Sequence, residues 1–220
     1  VFMAALRRRC THIPVQHITG VQNFMGLDFT VNEHVLIPRF DTEILVEEVM
    51  KFLHDGFSIL DMCTGSGCIL LSLLKYSNDC KGLGVDISAD ALAVANTNKE
   101  KLGIEASFIE SNLFEQVTGK FDIIVSNPPY IRSDVIPTLM EEVRDHEPLL
   151  ALDGTEDGLF FYRKIVAESP DYLNSGGMLF FEIGYDQAED VGRLMEEAGY
   201  KDVTVFKDFA GLDRVVYGRR

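Results

Sequence analysis

Ile59-Leu60-Asp61-Met62-Cys63-Thr64-Gly65-Ser66-Gly67-Cys68-Ile69 reads as an apolar strand, a turn of small residues and the entry to a helix. Glycines at 65 and 67 supply backbone angles that other residues avoid and let a ligand approach the main chain. The free amides at the start of the helix face that ligand. A tight strand-to-helix turn with no ligand fits the same letters. A dinucleotide site would carry the fuller G-x-G-x-x-G spacing, but here Ile69 and Leu70 stand where its third glycine would fall.

Downstream, strand and helix alternate. Apolar strands are predicted near 57–61, 82–86, 106–110, 121–126, 178–183, 202–206 and 213–218, with helices near 67–76, 89–101, 156–168 and 187–198. Such alternation predicts a parallel sheet covered on both faces. Only a short loop, around Phe209-Ala210-Gly211-Leu212, separates the last two strands, too short for a parallel crossover. The final strand should therefore run antiparallel. The expected class is α/β, a seven-stranded Rossmann-like sheet of the class I methyltransferase type. Upstream, residues 2–9 read as the tail of a helix. Phe29-Thr30-Val31 and Val35-Leu36-Ile37 flank Asn32-Glu33-His34 and predict a hairpin, and Asp41 or Thr42 is placed as the cap of the next helix. The expected division is 1–20, the remnant of a helical segment and linker; 21–40, a β-hairpin region; and 41–220, the catalytic domain.

The chain has 220 residues, 46% of them apolar and 25% charged, enough for one sizeable core. No apolar run approaches the roughly 20 residues that span a bilayer, and the basic cluster Arg7-Arg8-Arg9 follows rather than precedes its short apolar stretch. A cytoplasmic protein without membrane contact is expected. Four cysteines, at 10, 63, 68 and 80, form no Cys-x-x-Cys pair, and no metal site is predicted. The net charge of −15 repels a phosphate backbone and attracts a basic protein, so direct nucleic-acid binding is not expected. A monomer is expected.

Gly84-Val85-Asp86-Ile87-Ser88 closes the second strand of the sheet on a carboxylate that could accept hydrogen bonds from both hydroxyls of a ribose. Such charge-assisted bonds contribute roughly 1.5–3 kcal/mol. Helix capping competes for Asp86, but Ser88 already suits that task. After the third strand, Asn112 could bond the polar edge of an adenine and Leu113 pack on its face, although a bland loop fits equally. Most informative is Ser126-Asn127-Pro128-Pro129-Tyr130, directly after the strand Phe121-Asp122-Ile123-Ile124-Val125. Two prolines stiffen the backbone and remove two N–H donors. Asn127 Oδ1 and a carbonyl freed by the prolines could accept both hydrogens of a planar –NH2, with the Tyr130 ring beside it. The target is an amide or an exocyclic base amine.

These residues resemble the PrmC/HemK family of protein-(glutamine-N5) methyltransferases, which act on the Gly-Gly-Gln motif of class 1 peptide chain release factors. The likeness runs from about residue 13 to the end. It includes Ile37-Pro38-Arg39-Phe40-Asp41-Thr42-Glu43, Asn127 to Tyr130, Glu147-Pro148, Glu182-Ile183-Gly184 with Gln187, and Asp213-Arg214. Asn-Pro-Pro-Tyr alone is shared with adenine-N6 methyltransferases; together with Arg39-Phe40-Asp41-Thr42-Glu43 it is far more specific. The resemblance implies S-adenosylmethionine as donor and S-adenosylhomocysteine as product, with Thr64, Gly65, Ser66 and Gly67 at the methionine part, Asp86 at the ribose, and Asn112 and Leu113 at the adenine. Asn127, Pro128, Pro129 and Tyr130 would hold the glutamine amide, with Asn127, Pro128 and Tyr130 carrying the catalysis and Asn127 also touching the donor. Arg39 and Thr42 would lie beside the donor pocket; alone they read as a surface arginine and a helix cap. Three residues depart from the family pattern: Phe40 replaces a proline, Cys63 a glycine and Asn112 an aspartate. The competing readings are an adenine-N6 methyltransferase acting on DNA or RNA, which needs a basic channel that is not visible here, and a non-catalytic donor-binding scaffold.

Overall fold

The computed structural model describes residues 2–220. Two helices, α1 (Phe2–Arg9) and α2 (Val15–Thr19), precede a hairpin of β1 (Val21–Phe24) and β2 (Leu27–Thr30). There follow α3 (Phe40–Met50), β3 (Ser58–Met62), α4 (Cys68–Tyr76), β4 (Lys81–Asp86), α5 (Ala89–Leu102), β5 (Ser107–Glu110) and β6 (Phe121–Ser126). A largely irregular insertion with one short helix, α6 (Glu141–Arg144), leads to α7 (Phe160–Glu168), β7 (Leu173–Glu182), α8 (Ala188–Glu197), β8 (Lys201–Lys207) and β9 (Asp213–Arg219). The main sheet has the order β5-β4-β3-β6-β7-β9-β8. Its strands from β5 to β7 are parallel, and β9 lies antiparallel between β7 and β8. The seven-stranded expectation and its reversed last strand are both met.

Strand periodicity divides the core. Ile59, Ile123 and Phe180 face α3 and α4, while their neighbours Leu60, Ile124 and Phe181 face α7 and α8. Strand order reverses between β3 and β6, so a crevice opens at their carboxyl ends. The Ser126 hydroxyl donates to the Met62 carbonyl at 2.6 Å and ties the two strand ends together there.

The hairpin lies nearer the start than expected. Its turn is Met25-Gly26, with φ of 51° and 72°, the left-handed pair that a two-residue hairpin turn demands. Asn32 instead closes a local turn by accepting the His34 N–H at 3.0 Å, and Val35 packs with Ala91 and Val94 rather than in a strand. The buried Asn98 of α5 clamps the hairpin to the sheet: it accepts from Thr30 N and donates to the Thr30 and Ser66 carbonyls. The cap at Asp41 or Thr42 is also corrected. The helix begins at Phe40, Arg39 is the N-cap residue, and no side chain makes the capping bond. The helix expected from 156 begins at 160 because Gly158 adopts φ 74°.

Candidate active site

A cavity of about 260 Å³ opens at the crevice, with walls from the ends of β3, β4 and β6, the chain before α3, and the insertion before α7. Among its lining residues are Arg39 and Thr42, expected from the resemblance alone, and Thr64, Gly65, Ser66, Asp86, Asn112, Leu113, Asn127 and Pro129, which the sequence reading had also marked. Gly67, Pro128 and Tyr130 are not among the residues that line it. Gly67, at φ 79°, is a packing position: an added Cβ would meet the Phe108 ring at 3.1 Å and Ala95 at 3.3 Å.

Asp86 is held by two backbone donors, Gly65 N to Oδ2 at 2.8 Å and Ser88 N to Oδ1 at 3.0 Å. Each oxygen keeps a further lone pair for a ligand. Burial raises the pKa of this carboxyl, and the backbone bonds partly offset the rise. Ser88 caps α5 by accepting the Ala91 N–H, so the capping role is filled without Asp86. One strand away, the fully buried Asp61 accepts the Thr64 hydroxyl at 2.6 Å through Oδ2, while its Oδ1 has no partner. Burial lifts the Asp61 pKa to about 7 against the Thr64 bond. Cys63 has φ 62° and lines the cavity, so a side chain occupies a left-handed backbone position that suits glycine. Burial pushes its thiol far up, and it stays a neutral, inert group. Asn112 donates to Glu115 at 2.8 Å, which leaves its Oδ1 as a free acceptor.

At the Asn-Pro-Pro-Tyr corner, Asn127 Nδ2 points to the Thr42 hydroxyl at 3.4 Å. Among the described residues neither the Asn127 nor the Pro128 carbonyl accepts a hydrogen bond from the chain, as the two prolines lead one to expect. The Tyr130 carbonyl is different: it accepts from Gln187 Nε2 at 3.1 Å. Its phenol is drawn inward to the buried Glu182 at 3.3 Å. Burial, followed by the Glu182 charge, raises the Tyr130 pKa well above the ordinary value.

Arg39 lines the cavity while its guanidinium grips Glu147 at 2.6 Å, a carboxylate whose side chain is 1% exposed. Burial raises the Glu147 pKa and Arg39 offsets the rise. This pair fastens the insertion to the start of α3. From the insertion and the start of α7, Pro148, Leu150, Ala151, Phe160 and Phe161 close one side of the cavity. Reasoning on the sequence missed these apolar residues as lining. Their signal was Glu147-Pro148 followed by Ala151-Leu152, which the resemblance covers but without a role in the site.

Residues 39–145 match the family described as Methyltransferase small domain. The release factor glutamine methyltransferase of Clostridium acetobutylicum is 46% identical over 222 residues, 98% of this chain and 78% of that protein. The crystal structure of the release-factor-specific protein-(glutamine-N5) methyltransferase from Alicyclobacillus acidocaldarius is 31% identical, with a TM-score of 0.53 over 87% of this chain and 99% of that one. A methyltransferase structure from Pyrococcus furiosus shares the fold at 18% identity, with a TM-score of 0.68 over 99% of this chain and 97% of that one. Identity near one half along almost the whole chain is more than a common fold produces, and this chain belongs to the release factor glutamine methyltransferase family.

Proposed function

We propose that this protein transfers the methyl group of S-adenosylmethionine to the side-chain amide nitrogen, N5, of the glutamine in the Gly-Gly-Gln motif of class 1 release factors. The observation that carries the reading is Asn127. It stands on the cavity wall with its –NH2 turned to Thr42, so that its Oδ1 is left for a target. The donor's fit rests on Asp86, a largely buried carboxylate with a lone pair to spare on each oxygen, on the free Oδ1 of Asn112, and on the apolar Leu113 and Phe161 beside them.

When bound, the sulfonium donor supplies a methyl group already activated for attack by nitrogen. The protein's task is then placement. An amide nitrogen is a poor nucleophile because its lone pair is delocalised, so alignment in a water-poor cavity is the main lever. Asn127 Oδ1 and a proline-flanking carbonyl accept the two amide hydrogens and favour the positive charge that grows on nitrogen during attack. The proton leaves afterwards to one of these acceptors or to water.

The test is a methylation assay that compares purified release factor with adenine-containing DNA and RNA. Methyl groups are expected on the Gly-Gly-Gln glutamine alone, and Asn127→Ala is expected to lower kcat by about 100-fold or more. Label on adenine, or a wild-type rate for Asn127→Ala, refutes the assignment.

A further inference from the structure

Gln187 stands at the N-cap position of α8, yet its side chain is buried and makes no capping bond. It reaches toward the Asn-Pro-Pro-Tyr corner instead. Nε2 donates to the Tyr130 carbonyl at 3.1 Å and to the Gly158 carbonyl at 3.3 Å. Oε1 accepts the Gly184 N–H at 2.9 Å and shares the Tyr162 hydroxyl, at 3.4 Å, with the Glu182 carbonyl. Two carbonyls on one side and an N–H on the other allow the carboxamide only one way round. Four segments therefore meet on one side chain: the corner, the end of the insertion, the turn after β7 and α7.

The corner depends on such a brace. Prolines at 128 and 129 carry no N–H, so the chain has no backbone donor at those two positions to tie it to its surroundings. Its placement must come from its ends. At the upstream end the Ser126 hydroxyl is bound to the Met62 carbonyl at 2.6 Å. At the downstream end Gln187 holds the Tyr130 carbonyl, and Glu182 accepts the phenol at 3.3 Å. The room for the carboxamide is exact to within an atom: a Cβ at Gly184 would stand 2.9 Å from Gln187 Oε1.

We propose, on the reading of this corner as the holder of the target amide, that Gln187 is a positioning residue of the transfer reaction. It fixes the downstream end of the corner and with it the aim of the acceptors that receive the amide hydrogens. A misplacement of about 1 Å at a reacting centre costs on the order of 100-fold in rate. Thr64 and Asp86 follow and end other strands, β3 and β4, so donor binding is left largely untouched.

Two variants reach the carboxamide from different sides. Gln187→Met keeps the reach of the side chain and removes its hydrogen bonds. Gly184→Ala keeps Gln187, but the new Cβ displaces Oε1, the free end of a flexible side chain. On purified release factor, Gln187→Met is expected to lower kcat by about 10-fold or more and Gly184→Ala by about 3-fold or more. Calorimetry should give each a Kd for S-adenosylhomocysteine within about 3-fold of wild type. Because Gly184→Ala acts through Gln187, the double variant is expected to be no slower than Gln187→Met alone. Backbone amide NMR reads the brace without turnover: Gln187→Met should shift the Ile131 and Leu159 signals, whose peptide units carry the two carbonyls. Smaller losses of kcat, donor affinity that falls in step with kcat, a double variant slowed by the product of the single effects, or unmoved Ile131 and Leu159 signals would each overturn the proposal. Should Gln187→Met fail to fold, Gly184→Ala decides alone by the same limits. A wild type that leaves release factor unmodified, with those signals still moved in the variant, sinks the functional reading and not the brace.

Discussion

Asp61, next to last in β3, stands beside the turn from Cys63 to Gly67, with one carboxylate oxygen satisfied and the other bare. Its folded pKa, about 7, exceeds the ordinary value of 3.8. A raised carboxyl contributes stability that is present below the unfolded pKa and is lost as pH rises through the folded one. The loss accumulates between pH 4 and 7 and amounts to about 4 kcal/mol at most. Asp61→Asn keeps an acceptor for Thr64 and removes the charge, so its advantage in Tm over wild type is expected to grow across that interval. A difference in Tm that stays constant with pH would contradict the buried charge. At this scale Asp86 and Asn127 were legible in the sequence because their chemistry depends on residue type and on position at a strand end. Glu182 and Glu147 were not. Nothing in a single letter says that a carboxylate will be buried against Tyr130 or Arg39, partners that lie 52 and 108 positions away.

The corner residue Tyr130 is backed by the chain that runs from Gly154 to Gly158. A Cβ added at Gly158 would stand 2.5 Å from the Tyr130 carbonyl and 2.8 Å from Gln187 Nε2, at a φ of 74°. Gly20 has a similar φ of 76° but open space around it. Gly20→Ala should therefore cost only the left-handed penalty of about 1–2 kcal/mol. Gly158→Ala should add overpacking of roughly 1–3 kcal/mol and, by displacing the corner, lower kcat by about 10-fold or more. Thermal melts and turnover of the two variants side by side decide the point; equal losses would mean that the Gly154–Gly158 stretch does not support the corner. The strands of the sheet were read to within about a residue at each end, except β7, which starts at Leu173 rather than 178 because Asn174-Ser175-Gly176-Gly177 reads as a turn. The hairpin was misplaced because Asn32-Glu33-His34 is a strong turn signal and Met25 at positive φ is not. The insertion between β6 and α7 has no period to read, and its lining side chains become evident only when it folds back over the cavity.

Across the whole molecule, the amino-terminal helix adds little to the core. No residue of α1 is buried. The ties of residues 9–12 to the insertion are the Arg9–Glu142 and His12–Glu141 pairs and the bond between His146 and the Thr11 carbonyl. Surface pairs contribute about 0–1 kcal/mol each. A protein starting at Ile13 is therefore expected to melt within about 4 °C of the full chain. A fall of twice that in calorimetry would show that the amino-terminal segment shares in the cooperative unit. The alternating plan of strands and helices was plain from the sequence at this scale, and so was the surplus of acidic groups, which no folding detail alters. Both bear on the two prolines of the corner. A wall stripped of N–H groups at 128 and 129, in a chain with a net charge of −15, offers a carboxylate no backbone donor at those two positions. A glutamate differs from glutamine by one atom exchange, yet it would bring lone pairs to lone pairs and charge to like charge. In the proposed reaction, the rigid corner that accepts the amide hydrogens would therefore also disfavour the hydrolysed twin.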